Sequence, residues 1–333
     1  MRKWLNVALL AAVLMGFVGC SDEPKDDGKI TTALPVVALK SVGNTTLVIE
    51  SAFPSGNYGL IVSGKYYSKK TISGDADVGF ADGNFYILER WGPDNLVFLT
   101  ADGEIIQQIP FESPAFNAHG ICGNGNGKIF VGSYENLTIA VFEKENGGIN
   151  YKRSIDLPQF PNAQLQDLKF ANGKIYAALQ FLEDWLPSAN SKILEIDETG
   201  NVLREFESNF MNVIEIAVRG NYLFVLDRGS YYETNGGITE INLTNGAKTT
   251  ILDGSAVGAS PQKIEFISDN EAFLLMDKGW AAMEHLGSYI AKIALNDNSF
   301  RPFDDVRHSI SAISYNEATG TLWAASGNEV FKY

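Results

Sequence analysis

Cysteine, histidine and basic charge are all scarce in this chain of 333 residues. Its two cysteines, Cys20 and Cys122, cannot build a cysteine-based zinc site. Stability has to come from an apolar core, which a chain of this length with 45% apolar residues can supply. The three histidines, His119, His285 and His308, are scattered and show no metal-ligand spacing. Lysine and arginine number 26 against 40 acids, a net charge of −14. That balance excludes nucleic acid and anionic lipid surfaces as partners. No stretch has the periodicity of a long amphipathic helix. Long apolar runs are missing as well, with one exception at the start of the chain.

The exception is residues 5–18, which follow Arg2 and Lys3 and end in Val18-Gly19-Cys20. A basic n-region, a short apolar run and small residues at its end make a secretory signal peptide. Phe17-Val18-Gly19-Cys20 resembles the lipobox of bacterial lipoproteins, which implies cleavage after residue 19 and a lipidated Cys20. Cleavage removes two basic residues and takes the net charge from −14 to −16. With Cys20 acylated, Cys122 is left without a disulfide partner. It sits in the apolar Gly120-Ile121-Cys122 and is expected to be a small buried hydrophobe. Ser21 rather than Asp follows the anchor, and Asp22, Glu23, Asp26 and Asp27 form an acidic cluster. These features resemble outer-membrane sorting and surface-export signals. Residues 20–29 also read simply as a polar tether. The expected organisation is a signal peptide over 1–19, a lipidated acidic tether over 20–29 and one folded domain over 30–333. The expected location is the outer membrane, on the cell surface.

The folded part repeats itself. Leu47-Val48-Ile49-Glu50, Tyr86-Ile87-Leu88-Glu89, Phe130-Val131-Gly132-Ser133, Tyr176-Ala177-Ala178-Leu179, Phe224-Val225-Leu226-Asp227, Leu274-Leu275-Met276-Asp277 and Trp323-Ala324-Ala325-Ser326 recur at intervals of 39 to 50 residues. Each is apolar and rich in aromatic or β-branched residues, as buried strands are. Nearly every one follows a tight-turn pair such as Asp82-Gly83, Asn172-Gly173 or Gly220-Asn221. A second Gly/Asn turn follows later in most units. Four antiparallel strands per unit at this period predict an all-β, seven-bladed β-propeller.

Ring closure is also readable. The last unit supplies three strands before the chain stops. Residues 36–42 precede a Gly-Asn turn and read as the innermost strand of the first blade. Residues 30–34 are left to pair as the outermost strand of the seventh, so that an N-terminal strand closes the ring.

Thr45-Thr46-Leu47-Val48-Ile49-Glu50-Ser51, Ser55-Gly56-Asn57-Tyr58-Gly59 and the unit over residues 83–102 resemble YncE-like seven-bladed propellers carried by lipoproteins. The resemblance spans residues 30–333 and rests on repeat pattern and lipobox. It implies capture of a scarce nutrient, corrinoid or iron chelate, for an outer-membrane transporter. No residue-level motif transfers a site from the family.

The loops after the repeated strands share one face of a propeller with the connections between blades. Three of these loops are long: residues 180–191, 228–237 and 278–288. They carry Phe181, Trp185, Tyr231, Tyr232, Trp280, Met283 and His285. Arg90, Trp91, Tyr134 and Phe53 join the same face. Rings concentrated there are either a recognition surface or packing that holds the loops. The expected ligand-binding set is Arg90, Trp91, Tyr134, Trp185, Tyr231, Tyr232, Trp280 and His285. Glu50, Glu89, Asp227 and Asp277 end four of the repeated strands, and Arg90, Arg228 and Lys278 follow three of them. They serve either a ligand at the channel mouth or the loop backbone.

Three functions remain open at this stage. The first is a tethered binding protein for a small ligand. The second is a protein-interaction or envelope-assembly propeller. The third is a propeller-type lyase or lactonase in which Glu50, His119 and Asp167 converge. No catalytic residue, metal or cofactor is assigned from the sequence, and a monomer is expected.

Overall fold

The computed structural model describes residues 28–90, 94–111, 116–184, 186–206, 209–230, 232–281, 284–304 and 309–333. Cys20 and the leader lie outside the described residues. Seven four-stranded antiparallel sheets form the blades of a β-propeller, as the repeat predicts. The inner strands, in blade order, are Val36–Val42, Ala76–Ala81, Ala118–Gly123, Gln164–Ala171, Val213–Arg219, Ser260–Phe266 and Ile310–Asn316. The second strands are Thr45–Ala52, Asn84–Glu89, Lys128–Ser133, Lys174–Gln180, Tyr222–Asp227, Glu271–Asp277 and Thr321–Ser326.

The turns between these two strands have the required chemistry. Asp82 and Gly83 both have positive φ, 47° and 80°, which places the hairpin turn in the twist-matched class.

The continuous apolar second strands follow from burial on both faces. In blade 2, Phe85 and Ile87 pack toward blade 1, while Tyr86 and Leu88 pack toward blade 3. Among the described residues seven apolar clusters occur, each joining two neighbouring blades. A single blade cannot bury both faces, so stability resides in the blade–blade interfaces and needs the closed ring.

Closure is made by strand Lys29–Thr31, which pairs antiparallel with Glu329–Lys332 and completes blade 7. Ile30 faces Val330 and packs on the cluster shared by blades 7 and 1. The pairing covers Lys29–Thr31 rather than residues 30–34, with Thr32 still donating its N–H to the Asn328 carbonyl at 2.9 Å before the chain crosses to blade 1. Leu34 instead donates its N–H to the Glu50 carboxylate at 2.8 Å.

A candidate binding channel

Six of the seven inner strands carry a β-bulge near their start, and only Ala76–Ala81 pairs without one. The shifts fall between Val36 and Ala38, His119 and Ile121, Leu165 and Asp167, Val213 and Glu215, Pro261 and Lys263, and Ile310 and Ala312. A bulge re-aims side chains and breaks strict alternation. In blade 3 the extra residue is Gly120, at φ +69°. A Cβ there would stand 2.5 Å from the Leu168 nitrogen, so only glycine lets blades 3 and 4 approach.

The inner strands enclose a cavity of about 1010 Å³. Its wall mixes apolar side chains such as Ile121 and Phe170 with charged ones. Asp77, Asp167, Glu215 and Glu265 face it together with Lys169, Lys263 and Arg90. Asp167 is the best satisfied. Lys169 donates to both of its oxygens at 2.8 and 2.7 Å, and Leu168 N donates at 2.8 Å. Ile216 of the next blade donates its N–H at 3.0 Å. Glu215 repeats the device one blade on, accepting from Ile264 N at 3.0 Å.

Burial alone would lower the Lys169 pKa, but the Asp167 and Glu215 charges outweigh it and raise it. The Glu215 charge, joined by Glu265, raises that of Lys263 against burial. Burial raises Glu215 itself, with both lysines opposing. Burial would also raise Asp77, yet the Arg90 and Lys263 charges and the Val78 N–H bring it below its ordinary value.

His119 stands in the channel wall beside Arg90 and Gln166. Its ring meets that of Tyr134 at 4.7 Å between centroids. Burial and the Arg90 charge push its pKa down to about 4, so the imidazole is neutral at physiological pH. Arg90 is held by Asp75, with its Nε 2.9 Å from Oδ1.

The strand-end carboxylates prove architectural. Glu50 accepts from Leu34 N and from the Tyr66 hydroxyl, and Glu89 accepts from Ser73 N at 2.8 Å. Asp227 accepts from Met211 N, Asn212 N and Gly229 N, each at 2.8 Å. Asp277 accepts from Gly279 N at 2.8 Å and pairs with Arg228 at 2.9 Å and His285 Nε2 at 2.8 Å. Each ties the end of its strand to neighbouring backbone, and Asp227 and Asp277 do so at the start of a long loop. The expected convergence of Glu50, His119 and Asp167 fails for this reason. His119 and Asp167 line the cavity, whereas Glu50 is turned to the backbone of the closing segment. Cys122 is buried as expected, and burial drives its thiol pKa up.

The expected ligand-binding residues divide into two groups. Arg90 lines the cavity, and Tyr134 stands beside it against His119. Tyr232 is 69% exposed and Trp280 is 40% exposed on the loops of blades 5 and 6, away from the cavity wall. Trp280 and His285 pair across a small hairpin, Trp280–Ala281 with Glu284–His285. A second such hairpin, Leu182–Glu183 with Leu186–Pro187, stiffens the blade 4 loop. Neither hairpin was visible in the loop sequences. Phe181 packs down on the core, a structural role. Trp91, Trp185 and Tyr231 lie outside the described residues, as do Met283 and His308. Among the described residues no group of three or more His, Cys, Asp or Glu side chains is placed to hold a metal ion.

Apart from Arg90 and Asp167, the charges of the channel wall were missed by the sequence reading, although a signal existed. Asp167 and Lys169, and Lys263 and Glu265, are charged pairs two residues apart in inner strands. A spacing of two puts both on one face of a strand.

No protein-family model matches the chain, and no curated protein matches it. Solved structures do. A streptogramin B lyase superposes with a TM-score of 0.67 at 17% identity, covering 91% of this chain and 95% of the other. The Pan2 WD40 domain of Neurospora crassa gives 0.66 at 12% identity, covering 90% and 89%. A putative 6-phosphogluconolactonase from Bacteroides uniformis gives 0.59 at 14% identity, covering 84% and 88%. At these identities the likeness is one of fold.

Proposed function

We propose that this chain is an exported binding protein, anchored through a lipidated Cys20 and a tether over residues 20–29. It captures a small nutrient ligand in the propeller channel and delivers it to an outer-membrane transporter. The observation that carries the reading is the channel itself. A cavity of about 1010 Å³ with charges of both signs in its wall is a site for a ligand with polar groups to match. The expectation of a corrinoid- or iron-chelate-like ligand is kept, with the added requirement that its polar groups enter the channel. Tyr232 and Trp280, exposed on the same face, offer flat apolar contact outside it. The lipobox-like segment and the acidic residues after it support a place on the outer membrane, facing the medium.

Thermal unfolding of the full chain against corrinoids, haem, iron chelates and oligosaccharides tests this. Saturation at about 100 times Kd stabilises by about 2.7 kcal/mol. That raises Tm by a few degrees in a domain of this size. A rise with one ligand class supports the reading. No rise with any class makes a protein partner the better account.

A lyase reading has one observation in its favour, a histidine and an arginine together in the channel of a propeller that superposes on a lyase. Against it stands the chemistry of that histidine. A pKa near 4 makes His119 a weak general base at neutral pH, far from the matched value that catalysis favours.

A further inference from the structure

The bulge in the inner strand of blade 6 turns two successive residues, Gln262 and Lys263, toward the channel. Neither side chain is satisfied there. The Gln262 Nε2 is buried and has no hydrogen-bond partner, and buried donors without partners are rare. The Lys263 ammonium stands 3.6 Å from Glu215 and 3.9 Å from Glu265. Both distances exceed hydrogen-bonding reach, so its charge is balanced while its donors are not used. Lys169, by contrast, is fully engaged by Asp167.

Asp77, Asp167, Glu215 and Glu265 share the wall with Lys40, Lys169, Lys263 and Arg90. Lys169 is taken by Asp167, and Arg90 is held by Asp75 while its charge acts on Asp77. Glu265 is more loosely paired, with Lys263 at 3.9 Å. The channel thus holds idle donors beside the loosely paired Glu265 carboxylate.

We propose that the channel recognises an amino-acid-type zwitterion. Its carboxylate is taken by the Lys263 ammonium and the Gln262 amide, and its ammonium by Glu265. The proposal rests on the binding reading above and narrows its ligand to one that displays this pair of groups.

The test is calorimetric titration of the full chain with L-lysine, with cadaverine, which lacks the carboxylate, and with hexanoate, which carries the carboxylate alone. L-lysine is expected to bind at least about tenfold more tightly than either, the scale of one charged hydrogen bond. Lys263→Met is expected to remove the advantage of L-lysine over cadaverine. Because that change leaves Glu215 without its counter-charge and can impair folding, Gln262→Leu is the second variant. It keeps every charge and is expected to weaken L-lysine while leaving cadaverine unchanged. Equal binding of L-lysine and cadaverine overturns the proposal, as does no binding of L-lysine. A corrinoid or chelate that binds while L-lysine does not overturns it too, and leaves the broader binding reading standing. Failure of every ligand class in thermal unfolding removes that broader reading instead.

Discussion

Asp167 in blade 4 accepts the main-chain N–H of Ile216 in blade 5 at 3.0 Å while both its oxygens hold the Lys169 ammonium. One carboxylate therefore joins two blades at the channel wall and neutralises a cation that burial would otherwise disfavour. Removing it leaves Lys169, whose side chain is 32% exposed, uncompensated and the Ile216 N–H without its acceptor, a cost of about 1–3 kcal/mol. Asp167→Ala is expected to lower the denaturant midpoint accordingly. The double change Asp167→Ala with Lys169→Met is expected to recover most of the loss. Equal midpoints for the single and double variants would show that the pair is not what holds this wall.

Ring closure gives the second prediction. Deleting residues 28–35 removes the outer strand of blade 7 and the Leu34 contact to Glu50. Loss of that strand exposes an edge and frees the cluster shared by blades 7 and 1. The whole domain is expected to melt at a lower temperature in a single transition, followed by circular dichroism. Unchanged melting refutes the closure.

His119 gives a pH dependence of definite sign. Its folded pKa is about 4, below its ordinary value of 6.5. Above 6.5 the ring is neutral in both states and the fold loses nothing. Between 6.5 and 4 the unfolded chain takes up a proton that the folded chain refuses, so stability falls as pH falls. The fall amounts to about 2 kcal/mol once the partial exposure of the ring is allowed for. His119→Gln is expected to flatten the stability profile in that window when unfolding is measured in urea from pH 4 to 7. A wild-type profile no steeper than that of the variant contradicts the burial of the imidazole.

The exposed rings separate a rim role from a structural one. Tyr232→Ala with Trp280→Ala leaves the core intact, since both side chains project from loops. Melting is expected to change by less than about 1 kcal/mol, while affinity for any ligand with a flat apolar part drops. A large loss of stability with unchanged affinity would assign these rings to loop packing.

The propeller was legible because its signals are local and repeated. Strands such as Phe85–Leu88 alternate between two interfaces and so read as unbroken apolar runs, and Asp82-Gly83 fixes the turn by its own backbone preference. The closing strand was legible because the last unit lacks a fourth strand. The bulges were not, since a register shift such as Pro261 to Lys263 arises from pairing and leaves no local mark. With them went the channel facing of Glu215, Lys263 and Glu265, which depends on such shifts. The strand-end acids were seen, but what they bind is set by distant backbone: Glu50 reaches Leu34 and Asp227 reaches Met211 and Asn212. The aromatic loops were legible as exposed and long, while the pairing of Trp280 with His285 across a hairpin is a tertiary result.

The most direct test of the account is whether the channel is where the ligand goes. Gln166 lines it from the bulge of blade 4, where its side chain bonds the Ile214 carbonyl at 3.3 Å and meets His119. Gln166→Trp fills the space without touching a charge. Calorimetric binding of the ligand class that stabilises the chain should be lost in Gln166→Trp and only weakened in Trp280→Ala. Undiminished binding to Gln166→Trp would contradict the account and move the site from the channel to the loop face.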